Sequence, residues 1–142
     1  MSTDILTADR VAREIDLLRP PLEALLTRSD IARDGLALSI SADFGAGQIS
    51  LGDFVIGDLS RNPYPNADIA RQKRDLSARC RRAGSDVPPH LLRDGDSEWT
   101  GSAWLDGIAV GCAGLSEARD EMVAHWVAHA LAAACRDATT AP

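Results

Sequence analysis

Lysine is nearly absent from this chain: of 15 basic residues only Lys73 is a lysine. Together with the many alanines, that arginine bias reads as GC-rich bacterial codon usage rather than as a functional signal. Aromatic residues make up 4% of the sequence, so the core must come from Leu, Ile, Val and Ala. Cysteines number three, Cys80, Cys112 and Cys135, with no C-x-x-C pair and no metal-finger spacing. That pattern argues against a disulfide framework, and free thiols fit a reducing, cytoplasmic setting. Residues 1–13 mix acids and arginines with apolar residues, which is not the basic-then-apolar order of a secretory signal. No apolar run approaches the roughly 20 residues of a membrane span. Positive charge is in deficit: the formal net charge is -6. An acidic surface repels phosphate backbones and anionic lipid, so no nucleic acid and no membrane is expected as a partner.

What is present fits one ordinary domain. A chain of 142 residues can bury a core without staples. The pattern divides the chain into an N-terminal helical segment, 1–35, a body of sheet and helices, 36–137, and a fraying tail, 138–142. Val11, Ile15, Leu18, Leu22, Leu25 and Leu26 recur at helical spacing. Pro20 and Pro21 should break that pattern, giving helices near 7–18 and 21–33 with Gly35 as a stop. Residues 36–42 (LALSISA) and 48–56 (QISLGDFVI) read as strands of a hairpin turned at 43–47. After a turn-rich loop, Asn66 caps a helix over 67–82, and Gly84 ends it. Residues 99–105 and 108–115 flank Asp106-Gly107, a strong hairpin signal. Ser116 then caps a closing helix with Val123, Val127, Ala130, Leu131 and Ala134 as its buried stripe. The fold class is therefore α+β, with an antiparallel sheet of two hairpins and helices on one of its faces as the economical packing.

Several local strings, taken in order, resemble the GlcG/HbpS-like (haem-degrading) family. Ser41-Ala42-Asp43-Phe44-Gly45 stands for the family's D-x-x-G turn. Ile69-Ala70-Arg71-Gln72-Lys73 stands for its I-A-x-x-K-A helix. Asp106-Gly107 followed by Gly111-Cys112-Ala113-Gly114-Leu115-Ser116 stands for its glycine-rich hairpin, and Asp120-Glu121 begins the acidic closing helix. The match spans about 36–131. The resemblance implies a profilin-like α-β-α layout, frequent homo-oligomers, and haem or another small molecule as ligand in some members.

The sharpest chemical motif is Glu121-x-x-x-His125-x-x-x-His129. Residues four apart share a helix stripe, so two imidazoles could chelate one metal or one could bind haem, with Met122 and Trp126 as apolar walls. The plainer reading is a solvated face, because Glu117 extends the stripe opposite the core positions. His90 follows two prolines in a loop and could carry a proton or bind haem, or could simply be exposed. Arg71, Lys73, Arg74, Arg79, Arg81 and Arg82 form a basic helix that could hold a carboxylate or haem propionates, Lys73 above all. Asp43, Asp58 and Asp53 could pair as general acid and base. The glycines before Ser116 put backbone donors near a helix N-terminus, where an anion could bind. The cysteines read as small buried hydrophobes. Three functions stay open: a GlcG/HbpS-like small-molecule binder with haem as the first ligand to test, an enzyme acting on a small organic acid through Asp43, Asp58 or a histidine, and a non-catalytic oligomerising module. Trp126, at the border of the apolar stripe, is the candidate anchor of a homo-oligomer.

Overall fold

The computed structural model describes residues 5–140. Helix α1 spans Ala8–Thr27, strands β1 and β2 span Gly35–Ala42 and Ile49–Gly57, and helix α2 spans Asn66–Cys80. Two short 3-10 turns, Gly84–Asp86 and Pro89–Leu91, lead to strands β3, Ser102–Leu105, and β4, Ile108–Ala113. Helix α3, Glu117–Thr140, closes the chain. The four strands form one antiparallel sheet in the order β2-β1-β4-β3, so the two ribbons join through β1 and β4. Asp106 and Gly107 both take positive φ, 52° and 91°, as the second hairpin's turn requires.

Every residue of β1 is buried, which places helices on both faces of the sheet and not on one. The alternation of the strand separates the two sides. Leu36, Leu38, Ile40 and Ala42 join the main core with Val11, Ile15, Leu22, Val123, Val127 and Leu131 from α1 and α3. Ala37 packs on the other face against Ile69 and Ala70 of α2. The buried stripe of α3 is wider than expected and turned by a residue: Ala124, Ala128, Ala132 and Cys135 are fully covered alongside Val123, Val127 and Leu131, while Ala130 and Ala134 are half-buried.

Several local expectations need correction. The first helix does not break at Pro20 and Pro21. Both prolines lie inside α1 and are exposed, so water can satisfy the carbonyls they orphan. The apolar stripe continues through Leu22, Leu25 and Leu26, and its burial offsets the roughly 3 kcal/mol that an interior proline costs. The helix ends at Thr27, and Gly35 instead opens β1, where a Cβ would lie 2.8 Å from the Asp58 backbone. The second helix is capped by Pro65, and the Asn66 side chain makes no capping bond. Its C-terminus turns on Arg81 in the left-handed region, φ 55°, ahead of Gly84. Strand β3 starts at Ser102, leaving Trp99 in the preceding loop. Of the tail expected to fray, 138–142, helix α3 takes in the residues to Thr140, and the last two lie outside the described residues.

Candidate functional site

The site begins with a close approach. A Cβ at Gly111 would stand 1.9 Å from the Ala70 carbonyl oxygen and 2.7 Å from the Arg74 nitrogen. Glycine there lets the backbone of α2 lie directly on β4. The helix can therefore hold polar side chains against the sheet: Arg74 donates to the Ser39 and Ser50 hydroxyls, and Ser77 bonds Ser102.

The same approach places Lys73 at the end of β4. Its Nζ donates to the Cys112 carbonyl at 3.0 Å and to Asp120 Oδ2 at 3.1 Å. Both side chains of the ion pair are 3% exposed, so it is a buried pair that links α2 to α3. The other oxygen of Asp120 accepts from the Leu115 backbone N–H at 2.9 Å and from the Cys112 thiol at 3.5 Å. Burial is the strongest influence on Asp120 and holds its carboxyl above the ordinary range, against the pull of the Lys73 charge and of the donors around it. Burial also pushes the Cys112 thiol well up, reinforced by the Asp120 charge. Cys112 is thus a buried thiol and not a nucleophile.

Above this pair opens a cavity of about 240 Å³. Lys73, Asp120, Asn66 and Ile69 line it together with the 113–115 turn, and Arg33 and Glu117 approach from its sides. Tyr64 and Trp99 stand at the rim, in edge-to-face contact with ring centroids 6.1 Å apart and planes at 71°. Asn66 is 6% exposed, and its Nδ2 has no hydrogen-bond partner among the described residues. A buried donor left unmade costs about 1–3 kcal/mol. Both Asp120 oxygens and one of Glu117 are engaged, Arg33 donates to the Ile31 carbonyl at 3.3 Å, and the buried Asn66 Nδ2 is the donor on this lining left without a partner among the described residues. Such a cavity suits an acceptor-rich ligand. It is smaller than the roughly 300–1,000 Å³ clefts that enclose drug-sized molecules.

Of the candidate site residues, Lys73 lines this cavity, together with Glu117 of the helix stripe and Gly114 of the glycine-rich turn, whereas Asp43, Asp53, Asp58, His90, Met122, His125, Trp126 and His129 lie outside its lining. Asp43 is exposed and accepts from the backbone of Gly45 and Gly47, making a turn. Asp58 is exposed and accepts from the Ser60 backbone, which holds its carboxyl below the usual range. These two aspartates lie at opposite ends of nine-residue β2, roughly 25–30 Å apart at strand rise, so they cannot share a proton. Asp53 is paired with Arg71 at 2.7 Å. His90 is exposed on the second 3-10 turn.

The acidic half of the Glu-His stripe fastens a loop. Glu117 accepts from the Thr100 N–H at 2.8 Å, and Glu121 accepts from the backbone and hydroxyl of Ser85. His125 is half-buried and His129 exposed on the same helix. Among the described residues no group of three His, Cys, Asp or Glu could hold a metal ion. The surroundings of the two histidines do not fit haem either. Met122 packs on the core with its sulfur 3.3 Å from an Arg119 nitrogen, and Trp126 is exposed, so the two supply no facing walls.

Nothing in the sequence marks Asp120, Asn66, Arg33, Tyr64 or Trp99 as site residues by chemistry. Only Asp120 carries a signal: it continues the 124–127–131 spacing of the buried side of α3, which sets it apart from the solvated acids around it. No helix among the described residues is long and apolar enough to cross a membrane. Comparison of the chain with protein-family models, with curated proteins and with solved structures gives no match.

Proposed function

We propose that this is a small-molecule-binding protein of GlcG/HbpS-like type, whose ligand is a small, acceptor-rich organic acid held beside Lys73 and Asp120. The observation that carries the reading is the Asn66 amide, buried, unpaired, and on the wall of the cavity. A native fold seldom leaves such a donor without a partner, and a bound carboxylate would supply one. The unpaired Asn66 amide and the basic Lys73 and Arg33 on the lining favour an anionic or carbonyl-bearing ligand. The modest volume favours a molecule of a few carbons, and the Tyr64–Trp99 rim gives it apolar walls at the mouth.

A thermal-shift panel of short mono- and dicarboxylates tests the proposal. A ligand at about 100 times its Kd adds about 2.7 kcal/mol of stability, which raises Tm by several degrees in a domain of this size. A panel with no shift at millimolar concentration would remove the reading. Haemin forms the other arm: a Soret shift that disappears in His125→Ala or His129→Ala would replace the cavity with the α3 surface as the ligand site. Self-association belongs to the same proposal, because Trp126 remains 44% exposed and exposed aromatics anchor interfaces. A monomer in sedimentation would contradict that part.

A further inference from the structure

We propose that Lys73 captures a small carbonyl compound, a 2-oxo acid or an aldehyde, as an imine, with Asp120 moving the protons that the condensation needs. The inference rests on the cavity being a small-molecule site and adds the ligand's reacting group.

Three observations support it. The first is the choice of residue. Fourteen of the fifteen basic positions are arginine (15 less the one lysine), and a guanidinium stays protonated in proteins. The chain's one side-chain amine stands at a cavity wall, 2% exposed. A lysine, unlike an arginine, can supply a free amine to a carbonyl carbon.

The second is the placement of the amine. Two of its three N–H groups are held, by the Cys112 carbonyl and Asp120. Gly101, at φ 145°, closes one side: a Cβ there would come within 2.8 Å of Nζ and 2.7 Å of the Asp120 Cβ. The amine is thus fixed in place on a residue that lines the cavity.

The third is the proton partner. Asp120 lies 3.1 Å from Nζ, within the reach required of a general base. Burial raises its proton affinity above that of an ordinary carboxylate.

The step balances without a further reagent. Asp120 takes one proton from the Lys73 ammonium, leaving a free amine and a neutral carboxyl. The amine attacks the ligand's carbonyl carbon, forming the C–N bond as the C=O π pair moves to oxygen. A second nitrogen proton passes to that oxygen, giving a carbinolamine. Asp120 then protonates the hydroxyl, which departs as water while the nitrogen lone pair forms C=N. The product is an iminium with one N–H, paired with an ionised Asp120. The pair ends with the charges it began with, so no uncompensated charge is left in the interior. The ligand's carboxylate, where it has one, finds donors in Asn66 and Arg33.

A single lysine makes the test direct. The intact protein is incubated with pyruvate, and separately with glyoxylate, in the presence of sodium cyanoborohydride, and the reduced adduct is mapped by fragmentation mass spectrometry. The expected result is one adduct per chain on Lys73, formed faster than on the amino terminus. Adduct confined to the amino terminus, or none, overturns the inference. Thermal shifts measured without the reductant separate the two claims: stabilisation by pyruvate without adduct leaves the cavity site standing and removes the imine. Asp120→Asn keeps the side-chain shape but cannot carry the proton, so adduct formation should slow about a hundredfold or more. An unchanged rate would overturn the part given to Asp120. Should that variant not fold, mapping on the wild-type chain still decides the inference.

Discussion

Lys73 Nζ and Asp120 Oδ2 meet at 3.1 Å across the gap between α2 and α3, with both side chains almost wholly withdrawn from water. A buried pair gains little over an apolar one, yet removing one member strands the other charge. Asp120→Ala should therefore cost about 3–5 kcal/mol in urea unfolding at pH 7. The double variant Lys73→Met, Asp120→Ala should lose less than the two single losses added together. Additive losses would mean that the pair is not coupled.

The loop over 84–101 should respond to acid through Asp96. Arg79 grips Asp96 with two bonds, 2.9 and 2.8 Å, and also reaches the Leu91 carbonyl. Those bonds hold the Asp96 carboxyl below its ordinary 3.8. A carboxyl depressed in the folded state gives stability that is present above its unfolded value and lost as pH falls through its folded one. Asp96→Asn should thus be less stable than wild type at pH 7, and the gap should close as pH falls below 3.8. A gap that stays constant down to pH 2 in pH-resolved thermal melts would show that Arg79 does not depend on the ionised form.

Asp120 should act in the opposite sense. Its folded-state pKa is raised, so the folded chain holds that proton more tightly than the unfolded one. Its contribution to stability therefore falls as pH rises from 3.8 through the raised value. Relative to wild type, Asp120→Asn should look worse in acid and gain ground as pH rises through that window. Urea midpoints across pH 3–7 report the slope, and a difference that moves the other way would contradict the assignment.

Gly101→Ala should destabilise out of proportion to one methyl group. At φ 145° an alanine is strained, and its Cβ would crowd Asp120, Lys73 and the Cys112 carbonyl, each within 3 Å. A loss of about 1–3 kcal/mol is expected from the backbone alone. A variant that melts with wild type would show that the turn can move away from the ion pair.

The sheet was legible because its signals are local. Alternation along 36–42 and the Asp106-Gly107 turn fix both ribbons, and their joining through β1 and β4 follows from covering apolar faces. The proline pair reads locally as a break, but Leu22, Leu25 and Leu26 extend the stripe across it, and tertiary burial prevails over propensity. Asn66 reads as a cap because its type favours that place; Pro65 takes the place, and the amide is turned to other use. The cavity itself joins Arg33, Tyr64, Lys73, Trp99 and Asp120 from five separate segments. No periodicity links such positions, so the site became visible only with the fold. Lys73 is conspicuous as the only lysine, but codon bias accounts for that equally well, and its burial is a property of the fold.

If the cavity beside the ion pair holds an acid, Asn66 is the donor that the acid completes. The most direct measurement compares Asn66→Leu with wild type by thermal melt, with and without the best carboxylate from the panel. The account predicts that the ligand-free variant melts at or above wild type, because an unpaired buried amide has been replaced by an apolar group of similar size, and that the ligand-induced rise in Tm is lost. A variant that melts well below wild type while keeping the full ligand shift would contradict it.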